Sequence, residues 1–108
     1  MTREQAVQSL VRFDEPLPVL EAELRSLPWD WEGPALATLD GAGVASVLRR
    51  HGAGELTDEQ VKHWANLVEV RDDVEFTPEA SEAVFWLANP SINGPLSEVG
   101  PTLLARLG

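Results

Sequence analysis

Carboxylates are the side chains that offer the most chemistry in this 108-residue chain, with 18 aspartates and glutamates against eight lysines and arginines. Nine of the acids and two of the bases fall within residues 55–82, which gives that segment a net charge of −7. The adjacent pair Asp72 and Asp73 has the residue types of a general acid and base. Such a pair needs a pocket that raises one of the two pKa values, whereas acids that follow a helix are usually solvated. We therefore interpret this cluster as a surface feature and not as a catalytic pair.

Other catalytic or metal-binding patterns are missing from the sequence. The histidines, His51 and His63, lack the spacing of a paired metal site, and a chain without cysteine has no thiolate ligands. No serine lies in the sequence context of a nucleophile elbow. The run Gly-Ala-Gly at residues 52–54 lacks the lysine and the preceding strand of a phosphate-binding loop. We predict no enzymatic activity, no metal and no cofactor, and we interpret His63 as a solvated residue that pairs with Glu59.

The candidate binding site combines acids with tryptophans. Trp29 and Trp31 lie beside acidic residues in a segment rich in proline and glycine, at residues 28–34. Exposed tryptophans are common at the energetic centre of protein interfaces, although rings in such a segment also close the ends of helical bundles. The predicted partner-binding residues are the acids that steer a partner and the two aromatic anchors: Glu69, Asp72, Asp73, Glu75, Trp29 and Trp31.

The net charge of −10 restricts the partners of this chain. A surface of this charge repels nucleic acid and anionic membranes, and it attracts basic proteins over a long range. The sequence has no patch of basic and aromatic residues for nucleic acid, and no apolar run reaches the roughly 18 residues of a membrane span. The N-terminus carries Glu4 and Gln5 where a secretory signal needs an apolar stretch. We therefore expect a cytoplasmic protein that binds a basic protein partner, with no nucleic acid and no membrane.

The clearest structural signal is an amphipathic helix that begins after Thr57 and leads towards the acidic cluster. The Thr57 hydroxyl can accept a backbone N–H of the first turn, and the Gln60 side chain can accept the Thr57 N–H, which together form a capping box. Apolar residues then recur at helical spacing, with Trp64 in the middle of the apolar face. Trp64 is therefore expected to be the main packing residue of this helix.

Caps and apolar stripes also predict the other helices. Thr2 and Gln5 form a second capping box, and Gly52 is suited to a left-handed residue at the end of the third helix. Val74–Phe76 is expected to be a short extended piece, and no longer strand pattern is present. We predict an all-α fold, a compact array of five to six short helices in one domain over residues 1–108. In chain order, the predicted helices cover about residues 3–13, 17–26 and 41–51, the helical pattern at 56–73, a segment between Thr77 and Asn89, and residues 97–107.

Short runs across the sequence carry a family resemblance. These are Gly54–Thr57, Val61, Trp64–Asn66, Glu69, Arg71–Asp73, Leu87–Pro90, Pro28–Asp30 and Leu39. Over about residues 15–107 the chain resembles a family of small, acidic, uncharacterised bacterial proteins that are all-helical. That type of protein is similar to the immunity proteins of bacterial toxin systems, including those that neutralise nuclease colicins. The colicin group typically uses a pair of tyrosines at its interface, and this chain has no tyrosine, so no interface residue is transferred.

Our leading hypothesis is a non-enzymatic binding protein, an immunity protein or antidote that neutralises a basic toxin domain by covering it. Two alternatives remain open: a globular domain whose acidity serves solubility alone, and a small ligand-binding protein. Asp72, Asp73 and Glu75 repel one another near the negative end of a helix, so folding is expected to gain little from them. Replacing Asp72 and Asp73 by asparagine is therefore expected to leave thermal stability unchanged or slightly higher.

Overall fold

The computed structural model describes residues 2–26, 35–71, 73–89 and 94–107. Over these residues the fold is all-α, as the sequence predicted, with six helices and one sheet of two short strands. None of the described helices has the length and apolar composition needed to cross a membrane. In chain order the elements are α1 (Arg3–Arg12), α2 (Leu17–Ser26), β1 (Ala37–Leu39), α3 (Gly41–Gly52), α4 (Asp58–Glu69), β2 (Val74–Phe76), α5 (Pro78–Ala88) and α6 (Leu96–Leu107).

The predicted capping boxes begin two of the helices. At α4, the Thr57 hydroxyl accepts the backbone N–H of Gln60 at 3.1 Å, and the Gln60 side chain accepts the backbone N–H of Thr57 at 2.8 Å. Thr2 and Gln5 make the same pair of bonds at the start of α1. Both predictions are confirmed. These side chains satisfy backbone donors that have no partner inside the helix, which is why α1 and α4 begin where they do.

Trp64 lies at the centre of the core, as predicted. Its side chain is fully buried, its ring stacks on Phe13 with centroids 6.2 Å apart, and its indole N–H donates to the Leu10 carbonyl at 2.7 Å. Phe13 ends α1 in the left-handed region, with φ of 53°. Arg50 holds this residue, because it donates to the Phe13 carbonyl at 2.7 Å and lies over the ring. Trp64 and Arg50 thus attach α4 and α3 to the end of α1.

The two strands form a small parallel sheet that the sequence did not predict. Ala37 pairs with Val74 and Leu39 pairs with Phe76, while α3 and α4 connect the strands. The second strand is extended, in agreement with the prediction for those residues. Three-residue strands are too short to show an alternating pattern, so the local sequence could not reveal their pairing. The sheet is relevant to the site because it fixes the chain that follows Asp73.

Three helix ends differ from the prediction. α4 ends at Glu69, so Val70, Arg71 and Asp73 of the predicted helical pattern lie outside the helix. Gly52 is not left-handed; the positive φ of 81° occurs at Gly54 instead, in the turn between α3 and α4. Glycine adopts this conformation without strain, which explains its presence in that turn. Thr77 precedes α5 in the predicted place, but its hydroxyl makes no capping bond.

Candidate functional site

The structure separates the residues that were predicted to bind a partner. Glu69 and Glu75 are exposed, whereas only 1% of the surface of Asp73 is accessible. The other three predicted residues, Trp29, Trp31 and Asp72, lie outside the described residues. The prediction of one solvated acidic set is therefore wrong for Asp73, and the two exposed glutamates have to be considered apart from it.

Asp73 lies between two arginines, and we call this arrangement of Asp73, Arg71 and Arg3 the Asp73 cluster. Arg71 binds both carboxylate oxygens, since its Nε donates to Oδ1 and its Nη2 donates to Oδ2, each at 2.8 Å. The Nε of Arg3 donates to Oδ2 at 3.1 Å. Arg71 is also buried. Two-pronged contacts between a guanidinium and a carboxylate are strong and specific in geometry, so the three side chains hold one another in place.

The pKa of Asp73 is lowered in this environment. Burial is the largest single influence and opposes ionisation, but the hydrogen bonds and positive charges of Arg71 and Arg3 together outweigh it. The carboxylate is therefore ionised at neutral pH, and its charge is compensated inside the protein. A general acid needs a raised pKa, so Asp73 has the opposite property from that of a catalytic acid.

The Asp73 cluster connects parts of the fold that are far apart in sequence. Arg3 lies in the first turn of α1, Arg71 follows α4, and Asp73 precedes β2. The backbone carbonyl of Asp73 also accepts the N–H of Leu36 at 2.8 Å, immediately before β1. Asp73 is thus a structural residue that joins both helices to the sheet. Its neutralisation is now expected to reduce stability, in contrast to the expectation from sequence.

Sequence reasoning missed this cluster because two of its members are distant. Arg3 lies 70 positions before Asp73, and no local pattern relates the two residues. Arg71 was a nearer signal, since it is a lone base among acids and stands two positions from Asp73. An arginine that interrupts an acidic run just beyond a helix is a reason to ask which carboxylate it neutralises.

Glu69 and Glu75 remain as exposed members of the predicted acidic set. Glu69 is the last residue of α4, and Glu75 is the middle residue of β2. Neither glutamate forms an ion pair with another residue in the described part of the chain. The Asp73 cluster has two arginines and one aspartate, a net charge of +1, so the rest of the chain carries −11. The residues outside the cluster are therefore even more acidic than the whole-chain composition indicates.

Both histidines contact carboxylates on other helices. The Nε2 of His51 lies 2.5 Å from Oδ1 of Asp58, which connects α3 to the start of α4. The Nε2 of His63 lies 2.5 Å from Oε1 of Glu21, which connects α4 to α2. The predicted pairing of His63 with Glu59 is wrong, because Glu21 on the neighbouring helix is its partner. Within the described ranges, no group of three or more histidine, aspartate or glutamate side chains could hold a metal ion.

A surface groove of about 200 Å³ lies where the start of α4, the end of α5 and the start of α6 meet, and we call it the α4–α6 groove. Small-molecule pockets usually measure about 300 to 1,000 Å³, so this groove suits side chains of a protein partner better than a whole small molecule. Its lining includes Trp86, Leu87, Leu96 and Val99 on the apolar side and Asp58, Glu59 and Lys62 on the charged side.

Comparisons of this chain with protein-family models, with curated proteins and with solved structures find no match. The family resemblance described above therefore remains an expectation. Charge, exposure and side-chain contacts are the observations from which a function can be inferred.

Proposed function

We propose that this chain is a non-enzymatic protein-binding module that recognises a basic protein. In its most specific form, the proposal is an immunity protein or antidote that neutralises a basic bacterial toxin domain in the cytoplasm. The observation that carries the proposal is the charge outside the Asp73 cluster, which amounts to −11 on a chain of only 108 residues. The small size, the acidity and the all-helical fold also match the type of protein that the sequence resembles.

The distribution of exposed acids supports binding to a basic surface. Glu59, Glu69 and Glu75 are exposed and form no ion pair with other described residues. A carboxylate that is already paired must lose its partner or share it when a base approaches. An unpaired exposed carboxylate has no such cost, so a basic partner gains attraction without loss of an internal contact. Asp73, which is paired and enclosed, is excluded from the proposed interface.

The proposed mechanism is steering followed by occlusion. Acidic fields accelerate encounters with a basic partner by about one to three orders of magnitude, and salt weakens this effect because the Debye length is only ~8 Å at 0.15 M. Glu69 and Glu75 steer the partner in this scheme, together with Asp72. Trp29 and Trp31 stay in the proposal as aromatic anchors. The bound module then blocks the basic active surface without chemistry of its own.

The main alternative is that acidity serves solubility alone. High net charge keeps small proteins monomeric and soluble without any specific partner. In that case, neutral substitutions at Glu69 and Glu75 leave every interaction of the protein unchanged. A binding experiment separates the two ideas, because only the proposed module loses association rate when these acids are removed.

The test uses the protein encoded by the reading frame next to this chain, since toxin and antidote genes are expected to be adjacent. Its basic C-terminal domain is titrated against the full chain, and association is followed by stopped-flow fluorescence at several salt concentrations. The proposal predicts saturable binding whose association rate falls with added salt. Absence of binding to the products of both adjacent reading frames contradicts the antidote proposal.

A matched pair of variants locates the steering surface. Glu69→Gln/Glu75→Gln is expected to slow association, and the difference from wild type should shrink at high salt. The control is Asp14→Asn/Glu15→Gln, which removes the same charge from exposed residues between α1 and α2. Equal slowing by both variants indicates that net charge alone steers the partner. Slowing by the first variant only places the encounter near α4 and β2.

A further inference from the structure

We propose that the α4–α6 groove is a further anchor site for the basic partner, and that it takes a segment in which an arginine adjoins an aliphatic residue. This inference rests on the proposed function, because it names the part of the surface that the basic protein contacts. It is independent of the earlier site prediction, since none of the groove residues was a predicted partner-binding residue. Two features of the groove carry the inference: a fixed aromatic wall and a free carboxylate at the rim.

The aromatic wall is Trp86, which is half-buried on α5. The guanidinium of Arg106 lies 5.9 Å from the centre of the Trp86 ring, and Arg106 is held in turn by Glu82 at 3.2 Å. The ring is therefore supported before any partner arrives. Its indole N–H has no hydrogen bond to another described residue. A supported tryptophan with an unused donor is suited to anchor a partner, because it offers a large apolar surface and one polar contact.

The apolar floor lies beside this ring. Leu87 and Val99 are almost fully buried, and Leu96 is partly exposed. An aliphatic side chain that enters the groove contacts carbon atoms on the floor and on the ring, and water leaves both surfaces. The volume of about 200 Å³ is sufficient for one or two such side chains. The floor alone does not select among apolar ligands, so the choice of partner depends on the charged rim.

The rim carries one carboxylate that is free to pair with a base. Asp58 is already in contact with His51, whereas Glu59 forms no ion pair with another described residue. Lys62 also lines the groove, and no carboxylate oxygen of a described residue lies within 4 Å of its ammonium nitrogen. The rim therefore holds one attractive and one repulsive charge for a basic ligand. Removal of Glu59 and removal of Lys62 should therefore change the affinity for a basic ligand in opposite directions.

Arginine fits this combination better than lysine. Its guanidinium is planar, stacks on aromatic rings and pairs with a carboxylate through two parallel N–H groups. A lysine ammonium is more strongly hydrated and loses more on leaving water. The charge of the whole chain, −10, favours the approach of a basic partner over that of an acidic one. A segment with an arginine next to an aliphatic residue thus places its charge on Glu59 and its apolar side chain against Trp86.

The experiment is a titration of the full ¹⁵N-labelled chain with the peptide acetyl-Arg-Leu-Leu-Arg-amide, followed by ¹H–¹⁵N spectra. A matched peptide with citrulline in place of both arginines keeps the shape and removes the charge. The proposal predicts saturable shifts of the Trp86 indole N–H and of backbone amides around the groove. The citrulline peptide should bind more weakly by about twofold to fivefold, the size expected for one exposed ion pair.

Two charge variants give the sharper test. Glu59→Gln should weaken binding of the arginine peptide by about twofold to fivefold, and Lys62→Gln should tighten it by a similar factor. Both positions are exposed on α4, so both variants are expected to keep the fold, and Glu59→Gln loses only the favourable charge of an acid in the first turn. Weaker binding of the arginine peptide after Lys62→Gln overturns the proposal, because removal of a positive charge cannot weaken the binding of a cation at Glu59. Equal affinity for the arginine and citrulline peptides overturns it as well.

The position of the shifts distinguishes failure of this inference from failure of the proposed function. Shifts confined to residues near Glu69 and Glu75 overturn the groove as an anchor site. They leave the proposed function, binding of a basic protein, unaffected. Absence of any shift overturns the groove as an anchor site, whereas the proposed function is contradicted only by absence of binding to the products of the adjacent reading frames. Groove shifts that depend on protein concentration without peptide overturn the proposal in favour of a second copy of this chain as the occupant.

Discussion

Asp73 and Glu75 are two residues apart, carry the same charge and have opposite environments. Asp73 lies in the turn before β2, is enclosed by the protein and binds two arginines. Glu75 lies in β2 itself, is exposed and forms no ion pair with the described part of the chain. The first residue holds α1 and the end of α4 against the sheet. The second contributes charge to the surface and leaves the fold unaffected.

This difference shows that an acidic run in a sequence has no single role. Sequence proximity groups Asp73 with the exposed acids, whereas the contacts group it with Arg3 and Arg71. A buried ion pair adds little net stability compared with an apolar core, yet removal of one partner is costly because it leaves an uncompensated charge. An exposed glutamate can be removed at almost no cost. We therefore expect neutralisation of Asp73 to lower the unfolding free energy far more than neutralisation of Glu75, two positions later.

The largest effect is expected for Asp73→Asn. This change removes the charged carboxylate that binds buried Arg71 at two points, and the unfolding free energy should fall by about 3 to 5 kcal/mol. Urea unfolding followed by far-UV circular dichroism measures the loss. The control is Glu75→Gln, which removes the same charge two residues later. Similar stability of the two variants would show that Asp73 is not held by the arginines as described.

A smaller loss is expected for Arg3→Gln. Arg3 donates one hydrogen bond to Asp73, while Arg71 keeps its two-pronged contact. The unfolding free energy should fall by about 1.5 to 3 kcal/mol, the range for a hydrogen bond to a charged group. Arg12→Gln is the matched control, because Arg12 is an exposed arginine at the other end of α1. Equal melting temperatures for the two variants would contradict the attachment of α1 through Arg3.

The Asp73 cluster should also make stability depend on acid pH. The pKa of Asp73 is lower in the folded protein than its ordinary value of 3.8. The ionised Asp73 therefore stabilises the folded protein fully above pH 3.8, and this contribution is lost as the pH falls through the folded pKa. A difference of one pH unit between the folded and unfolded pKa corresponds to about 1.4 kcal/mol of unfolding free energy. Urea unfolding should be measured from pH 6 to pH 2.5. The difference in unfolding free energy between wild type and Asp73→Asn should narrow below pH 3.8. A difference that stays constant with pH would exclude titration of Asp73 as its source.

The smallest effect on stability is expected for Glu69→Gln/Glu75→Gln. Substitutions at exposed positions without partners usually change the unfolding free energy by less than about 0.5 kcal/mol. Thermal unfolding of this double variant should therefore match wild type closely, even though its association with a basic partner slows. A clear drop in melting temperature would place these glutamates in the structural group with Asp73.

Local chemistry allowed much of the helical framework to be predicted from the sequence. The capping boxes at Thr2 and Thr57 involve residues three positions apart, so their bonds are visible in a short window of sequence. The apolar spacing around Trp64 likewise identified the residue that is central to the core. The capping partners lie within one helical turn, and the apolar spacing that marks Trp64 spans about two turns, so both signals can be read from the local sequence.

Features that depend on distant partners could not be predicted in this way. β1 and β2 each have three residues and gain their structure from pairing across α3 and α4. His63 contacts Glu21 on another helix, although Glu59 stands at a favourable spacing on its own helix. Asp73 needs Arg3, which lies 70 positions earlier in the chain, to complete its environment. The candidate groove is another such feature, because it combines residues from three helices.

The most direct test of this account is the titration of the Asp73 carboxyl group itself. The ¹³C shift of the side-chain carboxyl can be followed in the labelled full chain from pH 6 to pH 2 under conditions in which the protein remains folded. If Asp73 is enclosed between Arg3 and Arg71, its carboxyl should titrate below its ordinary value of 3.8. The same titration in Arg3→Gln should move the midpoint upwards. A midpoint at or above 3.8 in the wild-type chain, unchanged by Arg3→Gln, would contradict the assignment of Asp73 to the structure and return it to the binding surface.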